Sequence, residues 1–248
     1  MSEKGHFKFS NSILIIPLLA MILIWAVYWL ELAFGINLNE YGVMPRKLSG
    51  LKGVFLSPFI HGSLKHLYNN TIPLGILLTA LWYFYRGVAW RIVIYGILLS
   101  GFLTWLIGRT SYHIGASGLI YVLASFIFFK GIFSSYYRLI ALSLIVVFIY
   151  GSLLWYIFPV KDGISWEGHL SGFVTGLFLA FLVKAKTPDP KKFAWEQDDF
   201  KEEDDPFLRH FDEEGNFIEL PEDDRNNADE DYGVNYIYKP VDKNNVRE

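Results

Sequence analysis

Six mainly apolar stretches alternate with short polar breaks, at approximately 12–34, 65–85, 90–108, 116–131, 136–158 and 168–185. A helix crossing a hydrocarbon core of about 30 Å needs roughly 20 such residues, and fewer where neighbouring protein shields it. The pattern therefore predicts six transmembrane helices. The fourth stretch is short, so its start is expected below the membrane surface, inside a bundle. Between the first two lies a long connection, Gly35 to Leu64, with Gly, Pro and scattered apolar residues. It reads as an interfacial or partly embedded loop.

Composition sharpens this picture. The 248 residues are 52% hydrophobic and 18% aromatic, too apolar for one ordinary soluble domain. Residues 1–186 carry 14 Lys/Arg against 5 Asp/Glu, whereas 187–248 carry 8 against 20. The net charge of −3 thus hides a basic membrane domain (12–186, after a short N-terminus, 1–11) and an acidic tail (187–248). The tail reads as solvated and disordered, although Phe193, Trp195, Phe200, Phe207, Phe211 and Phe217 leave room for a tail-binding partner. The absence of cysteine excludes disulfides, thiolate zinc sites and cysteine nucleophiles. The N-terminus is basic like a signal peptide, but the apolar run from Ile13 to Phe34 exceeds the roughly 7–15 residues of a signal core. A retained helix is expected.

Six spans put both termini on one side. That side carries ten Lys/Arg near span ends (including Lys4, Lys8, Arg86, Arg91 and Lys130) against six opposite (Arg46, Lys47, Lys52, Lys65, Arg109, Lys161). The bias predicts cytoplasmic termini; with that topology and no transit-type N-terminus, the expected place is a bacterial plasma membrane, as a multi-pass protein.

Polar groups at membrane depth are costly unless satisfied, so each invites a functional reading. His61, His66, Asn70, His113, Ser117 and His169 all fall at or near the outer ends of spans. Ser63 is a plausible N-cap that starts a helix at Leu64, leaving His61 in the preceding loop and His66 and Asn70 one turn apart on one face. Both can donate hydrogen bonds to an oxyanion. As an isolated pair they read better as groups that satisfy backbone carbonyls or each other. His169, Gly172 and Gly176 lie within about 60° of one helical face. The glycine pair permits close helix approach, which taken alone is ordinary helix glue. Ser117, Tyr121 and Ala124 likewise share a face. Pressing the two faces together would bring His169 to Ser117, with Tyr121 beside the imidazole.

Serine needs a neighbouring base to become nucleophilic, and neutral histidine is suited to that work. The flanking Gly115 and Gly118 would let a substrate carbonyl approach, and the Ser117 backbone N–H at a helix start would share the oxyanion with His66 and Asn70. No intramembrane carboxylate is evident as a third member. Glu167 and Asp162 read as solvated charge in the loop before the sixth span.

These residues resemble the rhomboid intramembrane serine proteases. The resemblance covers roughly 12–185 and rests on H-x4-H-x3-N (His61, His66, Asn70), GASG with Ser117, and GH-x2-G-x3-G with His169, Gly172 and Gly176. It implies an all-α, six-helix membrane bundle with a water-filled cavity open to the outer face. Ser117 would be the nucleophile and His169 the base of a dyad. His66 and Asn70 would assist the oxyanion, His61 would be a structural or water-associated histidine, and Tyr121 would stack on the catalytic imidazole. It implies single-pass transmembrane protein substrates, cut within or just outside the lipid bilayer near helix-destabilising small residues, with no cofactor and no nucleic acid. The Trp-Arg pair of many members is missing from the first loop, which reads YGVMPRKLSGLKGVF, and His113 has no matching role.

Three other classes compete. A zinc protease would draw on His61, His66, His113 and His169, but there is no H-E-x-x-H and no metal site is expected. A channel or carrier lacks support from any inverted repeat. A rhomboid-like protein that binds membrane proteins without cutting them is the remaining alternative, although such relatives generally lack the serine or the histidine.

Overall fold

The computed structural model describes residues 9–185 except Ser135 and Asp162, and 200, 201, 205, 207–212 and 215–219 of the tail, with only the backbone at Leu153 and Arg209. Contacts divide the chain into two units, Met1–Pro190 and Lys191–Glu248. Among the described residues there is no strand, only two isolated bridge pairs.

The first unit is built from α1 (Ser12–Phe34), a four-residue α2 (Gly53–Leu56), α3 (Leu64–Phe84), α4 (Ala89–Ile107), α5 (Ser117–Ile132), α6 (Tyr137–Tyr150) and α7 (Trp166–Leu182). Their outward faces are apolar: Leu14, Leu18 and Ile22 on α1, Ile94 and Phe102 on α4, Leu144 and Phe148 on α6, and Phe178 and Phe181 on α7 are all exposed. Such a belt would be untenable in water and is what hydrocarbon requires. By length and composition, α1 and α4 are able to cross a bilayer. The helices α5 and α6 are apolar but shorter.

Inside the belt, Leu67, Leu81, Ile92, Leu123, Phe126, Ile127 and Leu139 form a fully buried core shared by α3 to α6. At the α5–α7 contact the backbones meet. A Cβ on Gly172 would lie 2.3 Å from the Gly118 carbonyl oxygen, and one on Gly176 2.4 Å from that of Val122. The GxxxG pair of α7 thus lets its ridge rest on the α5 main chain.

The connection between α1 and α3 is not a free linker. It contains short 3-10 turns, Asn39–Tyr41, Leu48–Lys52 and Ser57–Phe59, around α2. It is tied to the end of α4: Arg46 Nη1 donates to the Gly108 carbonyl at 2.8 Å and Trp105 Nε1 to that of Lys47 at 2.8 Å. Val43 and His113 exchange backbone hydrogen bonds, both 2.9 Å.

Two expectations need correction. The fifth apolar stretch does not stay α-helical to residue 158; α6 ends at Tyr150 and the chain tightens into a 3-10 turn, Gly151–Ile157. Hydrophobic spacing does not register this change, because Leu154, Trp155 and Ile157 continue the apolar run. Glu167 is not solvated loop charge. Ser165 caps α7 by accepting the Gly168 N–H at 3.2 Å, which places Glu167 in the first turn, only 2% exposed. Its companion Asp162 lies outside the described residues.

Within the second unit, Leu208–His210 form a 3-10 turn that precedes a Phe211–Phe217 bridge. The His210 ring stacks on Phe217 at 5.5 Å. The remainder of the tail, for which disorder was expected, lies mostly outside the described residues.

Candidate active site

Ser117 is the first residue of α5, with Ala116 at the N-cap. First-turn N–H groups have no partner within their helix, so the chain start at Ser117 presents donors as well as a hydroxyl. The preceding turn depends on Gly115, whose φ of +105° is poorly accessible to other residues. A Cβ there would also lie 2.6 Å from the His66 ring and 3.2 Å from Asn70 Nδ2. His66 and Asn70, on the first turns of α3, therefore press directly on the main chain beside Ser117. Asn70 is 5% exposed and its Nδ2 has no partner among the described residues.

His61 holds this turn from behind. It is 1% exposed and packs edge-on against His66 with ring centroids 5.0 Å apart. Its Nε2 accepts the Ala116 N–H at 3.4 Å. Burial, together with the neighbouring His66, pushes its pKa down to about 4, so the accepting lone pair persists at neutral pH.

His169, in the first turns of α7, is 8% exposed. Tyr121 of α5 stacks on it, with centroids 4.3 Å apart and planes 13° from parallel. Its Nδ1 lies 3.0 Å from the Tyr156 carbonyl oxygen. A carbonyl only accepts, so Nδ1 carries the proton and Nε2 is left with a free lone pair. The 3-10 turn after α6 thus fixes the orientation of the imidazole. Among the described contacts there is no direct Ser117–His169 hydrogen bond. Both side chains line one open cavity of about 1030 Å³, together with His66, Asn70 and Tyr121. Hydrogen bonds between catalytic groups are often long in substrate-free sites. Gly118, next to Ser117, meets Gly172 at the α5–α7 contact.

His113, without an assigned role in the sequence, is a junction. Besides its backbone pairing with Val43, its Nε2 lies 3.1 Å from the Arg109 carbonyl oxygen and its Nδ1 2.5 Å from Ser165 Oγ. Burial pushes its pKa down, against opposing pulls from the Arg109 carbonyl and Glu167. Arg109 donates its backbone N–H to Glu167 Oε1 at 3.2 Å, and its guanidinium approaches the same oxygen at 3.6 Å. Sequence reasoning missed Ser165, Glu167 and Arg109. The Ser165 cap with an acidic residue in the following turn was the available signal for the first two.

A helical membrane domain with a polar cavity, a serine at a helix start and an oriented imidazole defines the class. The rhomboid domain family matches residues 49–186, and the chain belongs to the rhomboid family. It is 38% identical over 178 residues to the uncharacterized proteins Mb1372 of Mycobacterium bovis and Rv1337 of Mycobacterium tuberculosis, covering 66% of this chain and 72% of each relative. The uncharacterized protein ML1171 of Mycobacterium leprae is 33% identical over 176 residues, covering 66% and 69% respectively. The family and the apolar belt mark an integral membrane protein.

Proposed function

We propose that this protein is an intramembrane serine endopeptidase that cuts single-pass transmembrane proteins by a Ser117–His169 dyad. The observation that carries this reading is the His169 tautomer. With Nδ1–H given to the Tyr156 carbonyl, Nε2 is the ring nitrogen left to take a proton, and His169 lines the same cavity as Ser117. In the reaction, Ser117 Oγ attacks the scissile carbonyl carbon as its proton passes to Nε2. The oxyanion gathers the Ser117 N–H and the His66 and Asn70 side chains, and the unpartnered Asn70 Nδ2 supports that role. Collapse breaks the C–N bond, with the imidazolium proton leaving on the amine. Water, deprotonated by His169, then releases the acyl group. His61, Gly115, Gly118, Gly172, Gly176 and Tyr121 support the geometry.

The same reading takes residues 12–186 as a six-span domain with both termini cytoplasmic in a bacterial plasma membrane, and 187–248 as its acidic cytoplasmic tail. The alternative is a non-cutting binder of membrane proteins. Fluorophosphonate labelling of the purified protein beside Ser117→Ala and His169→Ala decides between them. Labelling of wild type alone is expected. A folded wild type that neither labels nor cleaves a single-pass substrate refutes the protease reading in favour of the binder.

A further inference from the structure

The segment that leads into Ser117 and the segment that leads into His169 are joined to each other at equivalent distances along the chain. His113 lies four residues before Ser117, and Ser165 four before His169. The hydrogen bonds between them have one consistent polarity. His113 Nε2–H donates to the Arg109 carbonyl, so its Nδ1 must accept, and the Ser165 hydroxyl donates to it. Ser165 Oγ in turn accepts the Gly168 N–H that begins α7, and its carbonyl accepts the His169 N–H at 3.1 Å. Alongside runs a second tie. The buried Glu167 carboxylate receives the Arg109 N–H and guanidinium, while Arg109 Nη2 donates to the Ile164 carbonyl at 2.6 Å.

A buried carboxylate is a costly way to hold two segments together. Glu167 is 2% exposed, its Oε2 has no partner among the described residues, and its counter-ion is half in solvent. An apolar contact would stabilise such a junction at least as well. What an ionic and hydrogen-bonded junction adds is a defined register between the joined pieces, here the pieces that carry nucleophile and base. Among the described contacts neither His113 nor Glu167 hydrogen-bonds Ser117 or the His169 imidazole; the Glu167 charge is felt at His169 through space, which the neutral His113→Leu change does not alter.

We propose that His113 and Glu167 are positioning residues that form a latch, with Ser165 and Arg109, setting the separation of Ser117 from His169. The inference rests on the protease reading. The latch acts on the reacting geometry rather than on ligand affinity, and displacement of a reacting group by about 1 Å costs up to about a hundredfold in rate.

The test is fluorophosphonate inactivation of the full chain in detergent, resolved into kinact and KI, with thermal melting of each variant. Glu167→Gln keeps the shape and an acceptor for the Arg109 N–H but loses the ion pair. His113→Leu removes both ring hydrogen bonds, whereas His113→Gln retains one donor and one acceptor. Expected are kinact values about tenfold to a hundredfold lower for Glu167→Gln and His113→Leu, with KI within about twofold of wild type. His113→Gln should recover most of the loss. The double variant should fall no further than the worse single one, since parts of one latch are not additive. Wild-type kinact in Glu167→Gln and His113→Leu, or losses that vanish when corrected for folded fraction, overturn the latch and leave the protease reading standing. Absence of labelling in folded wild type overturns both.

Discussion

Gly172→Ala is the sharpest single perturbation of this structure. The added methyl would lie 2.3 Å from the Gly118 carbonyl oxygen and 2.9 Å from Tyr121 Cβ. Neither atom can rotate away, since one is main chain and the other the root of a side chain. Ordinary contact begins near 3.4 Å, so α5 and α7 must separate by about 1 Å at this level. Overpacking of this kind costs about 1–3 kcal/mol of stability. The same displacement opens the gap between Ser117, one residue before Gly118, and His169, one turn before Gly172. A shift of about 1 Å in reacting groups costs about a hundredfold in rate, equivalent to about 2.7 kcal/mol. Gly176→Ala is the control. Its methyl meets the Val122 carbonyl oxygen at 2.4 Å, an equal intrusion one turn further from the cavity. Fluorophosphonate inactivation and thermal melting of both variants should show similar destabilisation, with the larger rate loss in Gly172→Ala. Wild-type kinetics in a folded Gly172→Ala would refute the argument that this contact helps to hold Ser117 close to His169.

Two further outcomes follow from the site. Asn70→Ala should lower the inactivation rate by about 10²–10³-fold, as loss of an oxyanion donor does, without lowering the melting temperature, because the deleted Nδ2 has no protein partner. A matching loss of melting temperature would make Asn70 structural. The His61 pKa, held down at about 4 from an ordinary 6.5, means that protons bind the unfolded chain first. Its contribution is therefore complete above about pH 6.5 and lost as pH falls through about 4, up to about 3 kcal/mol. Melting against pH should show a shallower decline in His61→Gln, and equal slopes would refute this assignment.

Much of the scaffold was legible in the chain. The apolar stretches at 12–34, 65–85, 90–108 and 116–131 match α1, α3, α4 and α5 to within a residue at each end, because an apolar run bounded by polar breaks is a local signal. The shared face of His169, Gly172 and Gly176 was legible too, because rotation per residue in an α-helix is constant. The stop of α6 at Tyr150 was not, since hydrophobic spacing does not distinguish an α-turn from a 3-10 turn. Glu167 was misread because an acidic residue beside a span resembles loop charge until its cap and its counter-ion are seen.

Which residues meet across the bundle is a different kind of information. His113 and Ser165 are 52 positions apart, and Arg109 and Glu167 58. No periodicity links them. They meet because two glycines let α7 rest on the α5 main chain, and that approach carries the start of α7 to the loop before α5. The His169 tautomer is likewise set by a backbone carbonyl, from Tyr156, which every residue possesses and no composition reveals. The sequence determined which side chains are available and which faces they share, since both depend on local geometry. The tertiary structure alone decided which proton sits on which nitrogen, since that depends on an atom of another segment coming within about 3 Å.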